Sequence, residues 1–184
     1  MKKSLLIIIG LVVLLLFGIL SSYNGLVGLN EDVNSKWSQV ENQLQRRADL
    51  IPNLVATVKG YAAQEQAIFT AVAEARSKLL SAQSPADSAQ ANGELNSALG
   101  RLLAIAESYP QLKSDANFRQ LQDELAGTEN RIATARKDYN DAVQVFNTRI
   151  KRFPTNIFAS ILGFEAKEYF QADEGAQKVP EVKF

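Results

Sequence analysis

From Leu5 to Leu20 the chain reads LLIIIGLVVLLLFGIL, without one charged or polar side chain. Beyond it, apolar residues recur every three or four positions in otherwise polar sequence. The unbroken run predicts a helix surrounded by lipid, which needs about 20 apolar residues. Ser21, Ser22 and Tyr23 supply the remainder at the interface, where tyrosine is favoured. The periodic sequence predicts amphipathic helices. Leu26, Leu29, Val33, Trp37, Val40 and Leu44 form one stripe, giving a helix from Tyr23 to Ala48. Ile51, Leu54, Val58, Tyr61, Ala62, Phe69, Val72 and Leu79 give a second, Leu50 to Ser81. Leu95, Leu99, Leu102, Leu103 and Ala106 carry a third, from the loop 82–88 to Ser108. The fourth, Ala116 to Arg152, is the most regular, with Phe118, Leu121, Leu125, Thr128, Ile132, Ala135, Tyr139, Val143, Phe146 and Ile150 in step and Phe153 beyond.

Boundaries follow from the residues between the stripes. Pro52 lacks an amide hydrogen but fits a first turn, and Asp49 stands three residues ahead as an N-cap. A sharp connection is therefore expected there, with a kinked continuous helix as the competing reading. Gly60 falls inside the second helix, either admitting a close neighbour or lying on a neutral surface. Tyr109-Pro110 closes the third helix, and Asp115 or Ser114 caps the fourth.

The fold class is all-α: an elongated antiparallel four-helix bundle on an N-terminal transmembrane helix, with a C-terminal tail packed on the bundle. The domains are the anchor 1–22, the bundle 23–153 and the tail 154–184. The fourth helix has a heptad seam that also suits an intermolecular coiled coil. Three further amphipathic helices need partners, which favours an intramolecular core. The tail carries Ile157, Phe158, Ile161, Phe164, Tyr169, Phe170, Val179, Val182 and Phe184, too apolar for a solvated segment. It either straps back along a groove or docks on a partner or membrane.

Lys2 and Lys3 precede the anchor, whereas Glu31 and Asp32 come before Lys36 on its far side. This bias puts the N-terminus in the cytoplasm and the bundle outside it. A cleaved signal peptide is the alternative, but Ile19 and Leu20 make a poor cleavage site near Ser21 and Ser22.

Composition narrows the chemistry. Twenty basic and twenty acidic residues give no nucleic-acid footprint. There is no histidine and no cysteine. Ser-His and Cys-His nucleophile pairs, thiolate metal sites and Glu-x-x-His di-iron pairs are thereby removed. No catalytic residue, cofactor or metal is assigned. Arg46, Arg47, Asp49, Lys59, Glu65, Glu74, Arg76, Glu129, Arg131 and Arg136 border the apolar stripes and read as inter-helix pairs rather than a site. Tyr139-Asn140 and Phe146-Asn147 repeat seven residues apart, where asparagine beside a core aromatic fixes helix pairing.

A set of motifs then carries a resemblance. It includes Tyr23-Asn24, Trp37, the run from Arg46 to Val55 (RRADLIPNLV), and Val58-Lys59-Gly60-Tyr61-Ala62. Ala75-Arg76, Tyr109-Pro110, Phe118 to Gln122, Thr128-Glu129, Ala135-Arg136, Tyr139-Asn140, Gly163-Phe164 and Tyr169-Phe170 complete it. In these the chain resembles the LemA family of bacterial membrane-anchored proteins. Gln64 departs from the pattern, since histidine is frequent at that position in the family. The resemblance implies a single-pass protein of the bacterial inner membrane with an antiparallel four-helix bundle. It brings no enzymatic activity; some members resemble proteins of envelope organisation, including magnetosome-associated ones. The expected function is a non-enzymatic envelope interaction or scaffold protein with an envelope or membrane protein as partner. The alternatives are a self-assembling structural protein (a homo-oligomer) and a small-ligand-binding or carboxylate-based hydrolytic bundle. The residues expected to interact or set register are Trp37, Arg47, Asp49, Tyr139, Asn140, Phe164, Tyr169 and Phe170.

Overall fold

Apolar periodicity of three to four residues folds as helix throughout. The computed structural model describes residues 2–171, and within its first helix the side chains of 6–10, 13–14 and 17 onward. The helices are α1 (Lys2–Lys59), α2 (Gln66–Ser81), α3 (Pro85–Ser108), α4 (Pro110–Ser114), α5 (Ala116–Lys151) and α6 (Thr155–Ile161). No strand occurs among the described residues, so the chain is all-α. Two compact units divide it. One gathers Met1–Trp37 with Asp138–Lys167, and the other Ser38–Lys137 with the segment from Glu168 onward. Val179, Val182 and Phe184, expected in the tail, lie outside the described residues.

The expected connection at Asp49 does not form, and α1 runs unbroken to Lys59 with Pro52 inside it. Asp49 is exposed and is no cap; its Oδ1 accepts from Gln45 Nε2 one turn earlier at 2.9 Å. The physical reason lies in another helix. Pro52 has no N–H for the carbonyl of Ala48. Ala48 is fully buried, and its carbonyl oxygen instead accepts from Arg76 Nε of α2 at 2.8 Å. A guanidinium thus replaces the missing main-chain donor. Arg76→Met is expected to cost about 1–3 kcal/mol, the penalty for an unsatisfied buried acceptor. In a Pro52→Ala background the same change should cost little, because residue 52 then donates. Urea unfolding of the two pairs checks this, and equal costs in both backgrounds would refute it.

The break comes instead at Gly60, which is exposed and ends α1 rather than lying inside a second helix. The amide of Ala62 closes the turn onto Val58 O at 2.9 Å. The loop expected over 82–88 is also shorter. Ser84 caps α3, accepting from the Asp87 amide at 3.0 Å, and Pro85 occupies the first turn.

The seam of α5 is buried at Leu125, Thr128, Ile132, Ala135, Tyr139, Ala142 and Phe146. Its steps of three and four residues keep one face inward. Phe153 leaves this seam and is 80 % exposed, because α5 ends at Lys151. In the first unit Leu26, Val33, Val143, Phe146 and Ala159 are buried. In the second, Ile51, Leu54 and Val58 are buried, as are Phe69, Val72, Leu95, Leu102, Leu112 and Phe118. α6 ends at Ile161; Gly163, two residues on, has a φ of 76° that suits glycine, and the Phe164 amide reaches back to Ala159 O at 3.0 Å. Among the described residues no helix is long and apolar enough to cross a membrane. The side chains of Leu5, Leu11, Val12, Leu15 and Leu16, part of the expected anchor, lie outside that description.

Candidate functional site

The main polar feature of the second unit is built around Arg47. Heptad spacing along α1 places Leu44, Ala48 and Ile51 in the core, and Arg47 is carried inward with them, 6 % exposed. Its Nη1 donates to Asn92 Oδ1 of α3 at 2.9 Å and stands 2.5 Å from Glu129 Oε2 of α5. Asn92 is 1 % exposed, whereas the Glu129 side chain is 40 % exposed and half in water. One guanidinium therefore ties three helices, and Arg76 ties a fourth through Ala48. Arg47 reaches both partners through Nη1, and Arg76 reaches the Ala48 carbonyl through Nε.

A second polar cluster joins the loops of this unit. The Tyr61 hydroxyl donates to Asp115 Oδ2 at 2.9 Å, and Gln64 Nε2 donates to the Tyr109 hydroxyl. Gln64 thus supplies a donor that an imidazole N–H also offers. Asp115 caps α5, its Oδ1 accepting from the Phe118 amide at 2.9 Å. That bond, then the Tyr61 hydroxyl, holds its carboxyl below the ordinary 3.8. The same contact raises the Tyr61 phenol above its ordinary 10.0. On α3, Glu94 is also held low, first by Lys78 and then by Gln90. These shifts run opposite to the raised carboxyl that a general acid needs at neutral pH.

The sign of the Asp115 effect fixes a pH test. A depressed folded-state value adds stability above the unfolded value, and this is lost as pH falls through the folded value. Asp115→Asn keeps a good cap but does not titrate. The variant should therefore melt below the native protein at neutral pH, with the gap closing on acidification below 3.8. A gap independent of pH in thermal melts would count against the assignment.

Aromatic residues organise the rest. In the first unit the Trp37 and Tyr139 rings lie 5.2 Å apart, Trp37 half-buried and Tyr139 buried. Asn140 is half-buried beside Tyr139. Phe164 packs on Tyr23 at 6.1 Å and edge-on to Phe146 at 6.3 Å. Asn147 then grips the chain past Gly163 through its main chain: Nδ2 donates to Lys167 O at 2.9 Å, and Oδ1 accepts from the Lys167 amide at 2.8 Å. In the second unit Phe170 is buried under the Arg136 guanidinium, 4.6 Å from the ring centroid. Arg136 also donates to Gln171 O at 3.3 Å. Tyr169 is exposed. Residues 163–171 thus fold back onto their own chain.

Of the residues singled out from sequence, Arg47 belongs to the buried network, and Trp37 and Tyr139 form one ring pair. Phe164 and Phe170 hold the strap, while Asp49 takes part in none of these. Asn92, Arg76 and Asn147 carry comparable weight. Asn92 left a trace as a polar residue one turn before Leu95 on the core face of α3.

The LemA family model matches residues 36–184. The chain is 34% identical over 179 residues to magnetosome protein MamQ 2 of Paramagnetospirillum magneticum, covering 83% of this chain and 66% of that one. To magnetosome protein MamQ of Magnetospirillum gryphiswaldense it is 32% identical, with 83% and 65% covered. To protein LemA of Metamycoplasma hominis it is 26% identical over 152 residues, with 82% and 69% covered. The chain thus spans just under two thirds of the length of the MamQ relatives. Arg47, Arg76, Asn92, Glu129, Asn147 and Phe170, which join the helices and hold the strap, all fall within the matched segment, and the chain belongs to the LemA family.

Proposed function

We propose that this chain is a membrane-anchored, non-enzymatic interaction or scaffold protein of the bacterial cell envelope. Leu5 to Leu20 serve as a single-pass anchor of the inner membrane, with the N-terminus cytoplasmic. α1, α2, α3 and α5 form an antiparallel four-helix bundle beyond it, which presents a face to an envelope or membrane protein. One observation carries the reading. Leu6, Ile7, Ile8, Ile9, Val13, Leu14, Phe17 and Leu20 are between 50 and 74 % exposed, with no protein over them. Each large apolar side chain left in water forgoes about 1.5–3 kcal/mol. Acyl chains supply the missing cover. The bonds from Arg47 and Arg76 support the bundle, and relatives named for the magnetosome support an envelope role.

The absence of cysteine makes the test clean. Gln83→Cys, in the exposed turn before α3, is treated with a membrane-impermeant maleimide in cells whose outer layer is permeabilised. Labelling before lysis is expected. Protection until lysis would reverse the orientation, and release of the protein from membranes by alkaline carbonate would overturn the anchor.

A further inference from the structure

α6 is covered on one side only. Thr155 and Ala159 are buried, whereas Phe153, Ile157 and Ile161 are 80, 50 and 77 % exposed. Ile157 and Ile161, one helical turn apart, share one ridge of α6, and Phe153 stands just before its N-terminus. Residues 142–164 hold no aspartate or glutamate, and Arg149, Lys151 and Arg152 are exposed at the end of α5. Where the ridge sits matters more than its apolarity. Phe164, three residues beyond Ile161, packs on Tyr23 at 6.1 Å. Tyr23 follows Leu20 by about 4.5 Å of helix axis. In the same unit a groove of about 540 Å³ is lined by Gly25, Leu29, Val145, Thr148, Arg149 and Arg152.

We infer that α6 and the basic end of α5 form a second membrane contact, lying on an anionic phospholipid surface beside the anchor. This rests on the anchor reading above. Phe153, Ile157 and Ile161 enter the acyl boundary, and Arg149, Lys151 and Arg152 meet the phosphates. An apolar ridge flanked by cations is the pattern of a helix that lies in the interface plane. The polarity of the anchor does not matter, since either leaflet presents phosphates at the level of Tyr23.

The full chain is reconstituted in vesicles of phosphatidylcholine with phosphatidylglycerol. A fluorophore is placed at Ile161→Cys, at Leu14→Cys in the anchor, or at exposed Ser97→Cys in α3. Nitroxide lipids then report depth. Quenching at Leu14 by deep labels and at Ile161 by shallow ones is expected, with Ser97 unaffected. Arg149→Gln/Lys151→Gln/Arg152→Gln should reduce quenching at Ile161 by at least about two-fold, since each basic residue contributes to surface attraction. Quenching at Leu14 without quenching at Ile161 overturns the contact and leaves the anchor standing. No quenching at Leu14 overturns both. Equal quenching at Ser97 and Ile161 also defeats the contact, and an unchanged triple variant defeats its assignment to anionic lipid.

Discussion

Phe170→Ala is expected to lower the unfolding free energy by about 3–5 kcal/mol, the usual cost of truncating a buried phenylalanine. Phe170 is 2 % exposed and its ring is capped by Arg136. Packing and cation–π attraction can be separated at this position. Phe170→Leu keeps most of the volume and should cost under about 1.5 kcal/mol from packing. It also loses the attraction of Arg136 for the ring face, about 0.5–1 kcal/mol at a partly exposed site. Arg136→Gln should reproduce only that smaller part and the bond to Gln171 O. Denaturant unfolding of the three variants gives the ranking. If Phe170→Ala unfolds at the native midpoint, the strap contributes nothing to its unit.

Arg47→Leu is expected to cost about 2–4 kcal/mol, chiefly through the partner left behind. Asn92 loses the donor on its Oδ1 in a position 1 % exposed. Glu129 can turn into water, so its share of the ion pair is discounted for screening. The consequence is non-additive. Arg47→Leu/Asn92→Leu should recover much of the loss, since neither group is then orphaned. A double-mutant cycle measures the coupling. Strictly additive costs would show that Arg47 matters only for its packed stem.

Much of this architecture is legible in the spacing of apolar residues. Ile132, Tyr139 and Phe146 announce the α5 seam, and Asp115 announces its cap. Some local signals are resolved only by distant partners, others by neighbours one turn away. Pro52 reads as a helix start until Arg76, in another helix, satisfies Ala48. Pro85 reads as a loop breaker although Ser84 and Asp87 on either side spell a capped first turn. Asparagines are ambiguous in the same way. Asn147 was expected to pair helices, yet its amide faces the returning chain at Lys167. Arg47 stood out by its place in a dense motif, but nothing in one dimension names Asn92 as its partner.

The grip of Asn147 on residue 167 addresses its main-chain N–H and C=O, not its side chain. Drift in that residue's identity should therefore be silent, charge reversal included. Proline alone is forbidden on chemical grounds, since it offers no hydrogen to the amide oxygen. The burden of constancy falls on the asparagine, and the side chain of residue 167 is left free to diverge.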